Sequence, residues 1–375
     1  MTGTFYNTNW FRSHILPLSD ARTIERTYVV TDRPVFDVPK VTYCCPPEWM
    51  TNRAGRVIAR GWMILLSTWR HRPDVLMGYH IMPNALLCLI IANLFGRLSA
   101  YQMTGGPIQI VGGGAGAENW LLRCLRRRSQ TLERLMFHLV RQFDLIVVRG
   151  RDAQKFAERH RLGRGRLIVT GSVDPVRFEP KDIPKPYDIV YVSRLVPCKG
   201  LEYFIELVAE LSRIRPGIHA ALVGDGPLRG ALSALADKLG VADTIDFLGR
   251  REDVPDVLQQ SRLFALVSPS EGMSIAMLEA MGAGLPVAVK DVGELRDAVK
   301  PGRNGLFLAG DDAPADARLI AEVLSDETRL KAMSEAARGL VLANYCIRAV
   351  ADRWDAYFDH QAERTAAGNH AAVTV

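Results

Sequence analysis

Ser268-Pro269-Ser270-Glu271-Gly272-Met273-Ser274-Ile275-Ala276-Met277-Leu278-Glu279-Ala280-Met281-Gly282-Ala283-Gly284-Leu285-Pro286 separates two short apolar runs, Leu263 to Val267 and Val287 to Val289. Each run reads as a buried strand. The stretch between them reads as a polar loop, a helix opening at Ser274, and a Gly-Leu-Pro stop. At the start of that helix the backbone N–H groups around Gly272, Met273 and Ser274, with the positive end of the dipole, suit a phosphate. Glu271 and Glu279, with seven residues between them, are acceptors suited to sugar or ribose hydroxyls. The implied ligand carries both phosphate and polyol.

The same rhythm runs outward in both directions. Strand-like runs occur at 27–31, 41–44, 75–79, 98–103, 145–148 and 167–169, then at 189–192, 220–223, 245–247, 263–267, 287–289 and 306–307, with helical patterns between them. Such alternation predicts an α/β fold with parallel sheets covered by helices on both faces. A chain of 375 residues exceeds the size at which one core usually stops growing, so two doubly wound domains are expected. The proline-rich stretch 174–186 reads as the linker between a first domain, 1–173, and a second, 187–345. Ligands of open parallel sheets bind outside the carboxyl ends of the strands, which is where Arg194, Lys199, Gly224, Glu271 and Ser274 all fall.

Three further motifs accompany the glutamate pair. They are Ile189-Val190-Tyr191-Val192-Ser193-Arg194-Leu195-Val196-Pro197-Cys198-Lys199-Gly200, Val223-Gly224-Asp225-Gly226-Pro227-Leu228 and Phe247-Leu248-Gly249-Arg250. In order and spacing the set resembles the large retaining family of GT-B glycosyltransferases, the glycosyl transferases group 1, most strongly over 170–310. The resemblance implies two Rossmann-like domains facing a cleft, with a nucleoside-diphosphate sugar as donor substrate, no other cofactor and no metal. It implies that Arg194 and Lys199 clamp the donor diphosphate and that Glu271 contacts the sugar hydroxyls and supports positive charge near the anomeric carbon. Glu279 would bond the ribose hydroxyls, and the base would fall near Arg250. It also implies a helix at 346–364 that crosses back to the first domain. The tail 365–375, small and polar, is expected to be disordered.

The acceptor side is expected in the first domain. His80 follows the run 75–79 and can face the cleft or serve as a satisfied structural histidine. After the run 98–103, many relatives have a histidine that contacts the donor sugar. Here Met103 or Gln102 stands in that slot, leaving His80 as the substitute. Gly105 and Gly106 follow as acceptor-binding positions. Gly112 to Glu118 imitates a dinucleotide turn, but a long arginine-rich helical pattern follows it instead of an acidic strand end. A flexible acceptor loop with Glu118 as base or hydroxyl contact is therefore the preferred reading.

The formal charge of +6 is partly concentrated in Arg123, Arg126, Arg127 and Arg128, either a solvated helix face or a peripheral contact with an anionic membrane; no nucleic-acid partner is expected. Six cysteines show no metal-ligand spacing, and Cys44 and Cys45 are adjacent, which favours reduced thiols in a cytoplasm, at the inner face of the membrane if the acceptor is lipid-linked. The longest apolar run, Ala85 to Phe95, is too short to span a bilayer and reads as a buried helix. The N-terminus lacks a signal pattern. Only Thr4 to Tyr6 can supply a first strand, so that strand is a stub or the start has been placed late. The activity expected is a retaining hexosyltransferase acting on a glycan or lipid-linked acceptor in polysaccharide or glycoconjugate synthesis. The alternatives are a sugar-nucleotide epimerase or phosphorylase of the same fold, and a degenerate binding or scaffold subunit.

Overall fold

A computed structural model describes residues 1–3, 5, 8–114 and 129–366. The chain divides into two units, residues 1–172 together with the helix that starts at Ile347, and Val173–Cys346.

The first unit contains β1 (Thr27–Val30), β2 (Val41–Cys44), β3 (Val75–Tyr79), β4 (Leu98–Gln102), β5 (Leu145–Val148) and β6 (Gly165–Ile168). Its helices are α1 (Thr8–Asp20), α2 (Glu48–His71), α3 (Leu86–Phe95), α4 (Gln130–Val140) and α5 (Arg151–Arg159). All pairings are parallel, in the orders β1-β2 and β3-β4-β5-β6. Thr2 joins the two sets, bridging Val30 on one side and Gly78 on the other. Its N–H donates to the Met77 carbonyl at 2.9 Å and its carbonyl accepts from Tyr79 at 3.0 Å, while Val30 donates to the Met1 carbonyl at 2.9 Å.

The central strand is thus a stub at Met1 and Thr2, a correction to the expectation of Thr4 to Tyr6. Phe5 is instead a core residue, its ring edge-on to Phe11 and Tyr79, while Thr4 and Tyr6 lie outside the described residues. Behind Met1, at the amino ends of β1 and β3, is a cavity of about 620 Å³ lined in part by Thr27, Tyr28, Val75 and Trp354. It lies at the opposite ends of these strands from the loops where ligands of parallel sheets bind. The run 85–95 does form a helix, but not a buried one: Cys88, Leu89, Ile91 and Ala92 face the core while Ile90 and Leu94 are exposed.

The second unit contains β7 (Tyr187–Val192), α6 (Leu201–Ile214), β8 (Ala220–Val223), α7 (Arg229–Leu239), β9 (Ile245–Gly249), α8 (Val254–Gln259), β10 (Ser261–Leu266), α9 (Ile275–Gly282), β11 (Val287–Lys290), α10 (Leu295–Ala298), β12 (Gly305–Leu308), α11 (Ala313–Ser325) and α12 (Glu327–Asn344). Its sheet is parallel throughout, ordered β12-β11-β10-β7-β8-β9. β7, the first strand in sequence, has β8 on one side and β10 on the other. The winding therefore reverses between β7 and β10, and their carboxyl ends form the topological switch point where ligands of such sheets bind. The proline-rich stretch 174–186 contributes Phe178 to this unit's core, and the Phe178 carbonyl accepts from Arg338 Nη1 at 3.0 Å.

The last helix, α13 (Ile347–Ala366), packs with the first unit. Trp354 is buried in that unit's core, and the Asp355 carboxylate accepts from the backbone N–H of Arg22 at 3.0 Å and of Thr23 at 2.7 Å.

Candidate functional site

In the second unit the loops that follow β7, β8, β10 and β11 meet at the switch point. After β7 the chain runs through Arg194, which is exposed, into a single turn at Pro197–Lys199. The Tyr191 hydroxyl, buried in the sheet, donates to the Lys199 carbonyl at 2.5 Å and lies 3.2 Å from Ser268 Oγ at the end of β10. That bond fixes the backbone of Lys199 beside the loop that carries Glu271. Lys199 Nζ then reaches Glu271 Oε1 at 2.5 Å, with side chains only 19% and 9% exposed. At this burial the pair is screened far less than a surface ion pair.

Two glycines let the loops close on this pair. Gly224 sits at φ 136°, and a Cβ there would stand 1.7 Å from the Ser193 carbonyl oxygen. Gly293, at φ 54°, faces Glu271 so closely that a Cβ would stand 1.8 Å from the Glu271 carbonyl oxygen. Both positions demand glycine on steric grounds as well as by dihedral. The loop after β9 joins the group through Gly224, whose N–H donates to the Gly249 carbonyl at 2.8 Å; the next residue, Arg250, is exposed.

Downstream of Glu271, Met273 is buried and Ser274 caps α9, its Oγ accepting from the Met277 N–H at 3.3 Å. Such capping leaves other first-turn N–H groups of α9 unbonded within the helix, beside a loop carboxylate. Glu279 lies further along α9 and is almost fully buried. Burial pushes its carboxyl up to about 7, opposed by the Arg177 guanidinium.

Of the expected residues, Lys199 and Glu271 are in direct contact. Arg194, Gly224, Gly272, Met273, Ser274 and Arg250 lie on the same set of strand-end loops, with Glu279 on the helix that one of these loops starts. Tyr191, Ser268 and Gly293 were not foreseen. Gly293 follows a strand end, so the strand-end rule could have found it; nothing local marks the reach of the Tyr191 hydroxyl.

In the first unit, His80, Gly105 and Gly106 gather at the carboxyl ends of β3 and β4. His80 adopts φ 60°, and its Nδ1 lies 3.1 Å from Gln109 Nε2. Gln109 in turn accepts from the Tyr101 hydroxyl at 2.7 Å and donates to Thr104 Oγ1 at 3.3 Å. A Cβ on Gly105 would lie 3.1 Å from the Gln109 side chain, and Gly106 is at φ 67°. Met103 and Gln102, read as occupants of a donor-contacting histidine's slot, are both buried, Met103 within the hydrophobic core. Neither is presented at the strand ends, where His80 is the partly exposed ring. Glu118 and the arginine cluster at 123–128 lie outside the described residues.

A second polar group in this unit also went unforeseen. His14 Nε2 lies 2.8 Å from Arg149 Nη2, just past β5, and its Nδ1 lies 2.8 Å from the Trp10 carbonyl. Burial, then the Arg149 charge, hold its pKa well below the usual histidine value, so the ring is neutral, donating to Trp10 and accepting from Arg149. The partners are 135 residues apart, which no local motif encodes.

Known proteins resemble part of this chain in sequence and the chain in fold. The family profile described as glycosyl transferases group 1 matches residues 174–340. An alpha-D-kanosaminyltransferase of Streptomyces kanamyceticus is 30% identical over 167 residues, 44% of this chain and 43% of that protein. A GDP-mannose-dependent alpha-(1-6)-phosphatidylinositol monomannoside mannosyltransferase of Mycolicibacterium smegmatis is 32% identical over 166 residues, 42% of this chain and 44% of that protein. The match thus spans less than half the length of these relatives. Among solved structures, Anabaena HepE in complex with UDP and glucose superposes with a TM-score of 0.73 at 17% identity, covering 96% of this chain and 98% of that one. Residues 174–340 therefore carry the glycosyl transferases group 1 signature, within a chain whose α/β architecture is the GT-B fold.

Proposed function

We propose that the protein is a retaining, metal-independent hexosyltransferase that moves a sugar from a nucleoside-diphosphate donor to a glycan or lipid-linked acceptor in the cytoplasm, in polysaccharide or glycoconjugate synthesis. The observation that carries the reading is the buried Lys199–Glu271 pair at the switch point of a group 1 region, next to the capped start of α9. Negative charge accumulates on the diphosphate as the glycosidic bond breaks. Arg194 can fork onto its oxygens, Lys199 supplies a point charge, and the α9 N–H groups add a fixed dipole. These groups do the work that a metal would otherwise do.

Glu271, oriented by Lys199, accepts from sugar hydroxyls and supports the positive charge that develops at the anomeric carbon. Glu279 accepts from the ribose hydroxyls, and Arg250 lies towards the base. The bond from the anomeric carbon to the phosphate oxygen breaks, the bond to the acceptor oxygen forms on the same face, and the acceptor proton passes to the departing phosphate. The two glutamates line one donor pocket instead of flanking the scissile bond, which separates this arrangement from a glycosidase pair. His80 stands in for the histidine that contacts the donor sugar in many relatives, and the Gly105-Gly106 turn, with Glu118, supplies the acceptor side. Support for a lipid-linked acceptor comes from the mycobacterial relative, whose name specifies a phosphatidylinositol monomannoside.

The test is the double substitution Arg194→Ala/Lys199→Ala. Donor turnover is expected to fall by at least about a hundredfold, as for loss of a transition-state charge contact, with an unchanged circular dichroism spectrum. Turnover at the wild-type rate would remove the clamp.

A further inference from the structure

Helix α2 carries a row of large apolar residues on the outside. A break at Gly55 (φ 79°, ψ 157°) separates a short first part from a long second one. In the second part Ala59, Arg60, Ile64, Ser67 and Thr68 face the body of the unit and are buried. Arg60 forks onto Asp32, with Nε to Oδ1 at 2.8 Å and Nη2 to Oδ2 at 2.6 Å, and the Thr68 hydroxyl donates to the Ile64 carbonyl at 2.7 Å. On the other side Ile58, Trp62, Leu66 and Trp69 recur at helical spacing, with Ile58 66%, Trp62 53% and Trp69 68% exposed. At about 100° per residue these four fall within about 80° of arc, opposite the buried set. A large apolar arc thus faces outward, opposite a buried side that combines Ala59 and Ile64 with Arg60, Ser67 and Thr68.

Helix α3 extends the apolar surface. Leu87 meets α2 at Gly61, where a Cβ would lie 3.5 Å from the leucine, and Ile90 and Leu94 stand 56% and 70% exposed. Along the same segment Arg53, Arg56, Arg70 and Arg72 are all exposed. Between Glu48 and Arg72 the only acidic residue is Glu48 itself. A second copy of the chain would set these arginines against one another across a shared face. An anionic surface would pair with them.

We propose that the outer face of α2 and α3 docks on an anionic lipid bilayer. The helix axes would lie in the membrane plane, the indoles of Trp62 and Trp69 at the headgroup level, and the arginines on lipid phosphates. Indoles prefer this boundary because the ring is apolar while its N–H needs a polar partner. Arginines beside an apolar face reach back to the headgroups. The contact proposed is peripheral; among the described residues no helix is long and apolar enough to cross a membrane. The inference stands on this surface alone and needs no assumption about the donor site.

Co-sedimentation of the full chain with vesicles tests it, comparing phosphatidylcholine alone with phosphatidylcholine containing about 30 mol% phosphatidylglycerol. Binding to the anionic vesicles is expected, weakening as salt rises. Trp62→Ser/Trp69→Ser and Arg53→Glu/Arg70→Glu should each bind at least about tenfold more weakly while keeping the wild-type circular dichroism spectrum. Quenching of tryptophan fluorescence by brominated lipid in the wild type gives a direct readout that does not depend on the variants folding. A wild-type chain that stays in the supernatant with both vesicles overturns the proposal. So does a tryptophan double variant that binds as well as the wild type, or a wild-type dimer that those substitutions dissociate while vesicle binding is absent.

Discussion

Glu279→Gln is expected to make the protein more stable and its nucleotide binding weaker, an opposition that separates the site reading from simple damage. The carboxyl of Glu279 lies near 7 in the folded chain against an ordinary 4.5, because burial disfavours the charged form more than Arg177 favours it. Between those two values the folded state holds a proton that the unfolded state has released. Stability from this group is therefore full below pH 4.5, falls as pH rises towards 7, and is lost above it. The difference of roughly 2.5 units corresponds to about 3 kcal/mol. Glutamine has nothing to ionise, so the variant should match the wild type near pH 4.5 and exceed it by up to about 3 kcal/mol at pH 8.

All six tryptophans lie at positions 10, 49, 62, 69, 120 and 354, outside the second unit, so far-UV circular dichroism during urea unfolding is the appropriate probe. At pH 8, where the wild-type carboxyl is ionised, nucleotide affinity should move the other way, since the amide replaces a charged acceptor of ribose hydroxyls with a neutral one. Parallel stability profiles for wild type and variant across pH 4.5 to 8 would refute the burial argument. Undiminished nucleotide affinity would remove Glu279 from the site.

Gly224→Ala should destabilise the second unit by on the order of 3 kcal/mol or more, because a Cβ 1.7 Å from the Ser193 carbonyl oxygen forces two loops apart; a urea midpoint equal to wild type would refute the close approach. Tyr191→Phe removes the hydroxyl that holds the Lys199 carbonyl, and should cost about 1–2 kcal/mol in urea unfolding and raise the KM for donor. An unchanged KM would show that the Lys199 loop needs no such tether. In the first unit, His14 is held neutral with its pKa well below 6.5, so its contribution to stability is present above 6.5 and lost as pH falls below that value. Tryptophan-monitored unfolding should show this loss in the wild type and a flatter profile in His14→Gln.

The alternation of the fold was legible because strands covered on both faces are apolar at nearly every position. Ile189 to Val192, Ala220 to Val223 and Leu263 to Val267 needed no more than that. The strand-end residues were legible for a related reason: once strands are placed, the residues that follow them are the ones a ligand can reach. What stayed hidden depends on contacts between distant segments. Lys199 and Glu271 are 72 positions apart, and their contact requires β10 to lie beside β7, an order that no local pattern encodes.

Other misreadings have the same origin. An apolar run such as 85–95 announces a helix but not how much of its surface is covered, so the exposed Ile90 and Leu94 could not be foreseen. The stub at Met1 and Thr2 was hidden because one bridging residue leaves no periodicity to detect, whereas Phe5 and its aromatic neighbours imitate a strand. Met103, read in the slot of the relatives' histidine, was no misreading of this kind, and its place in the core adds only where that side chain packs.

Thermal unfolding of the wild type and of Glu279→Ala against a panel of nucleoside-diphosphate sugars tests the donor site most directly, since a ligand that binds only the folded state raises its apparent stability. A stabilisation by one nucleotide that disappears in the variant is the expected result. No shift with any member of the panel would contradict the account and leave the Lys199–Glu271 pair as a structural feature alone.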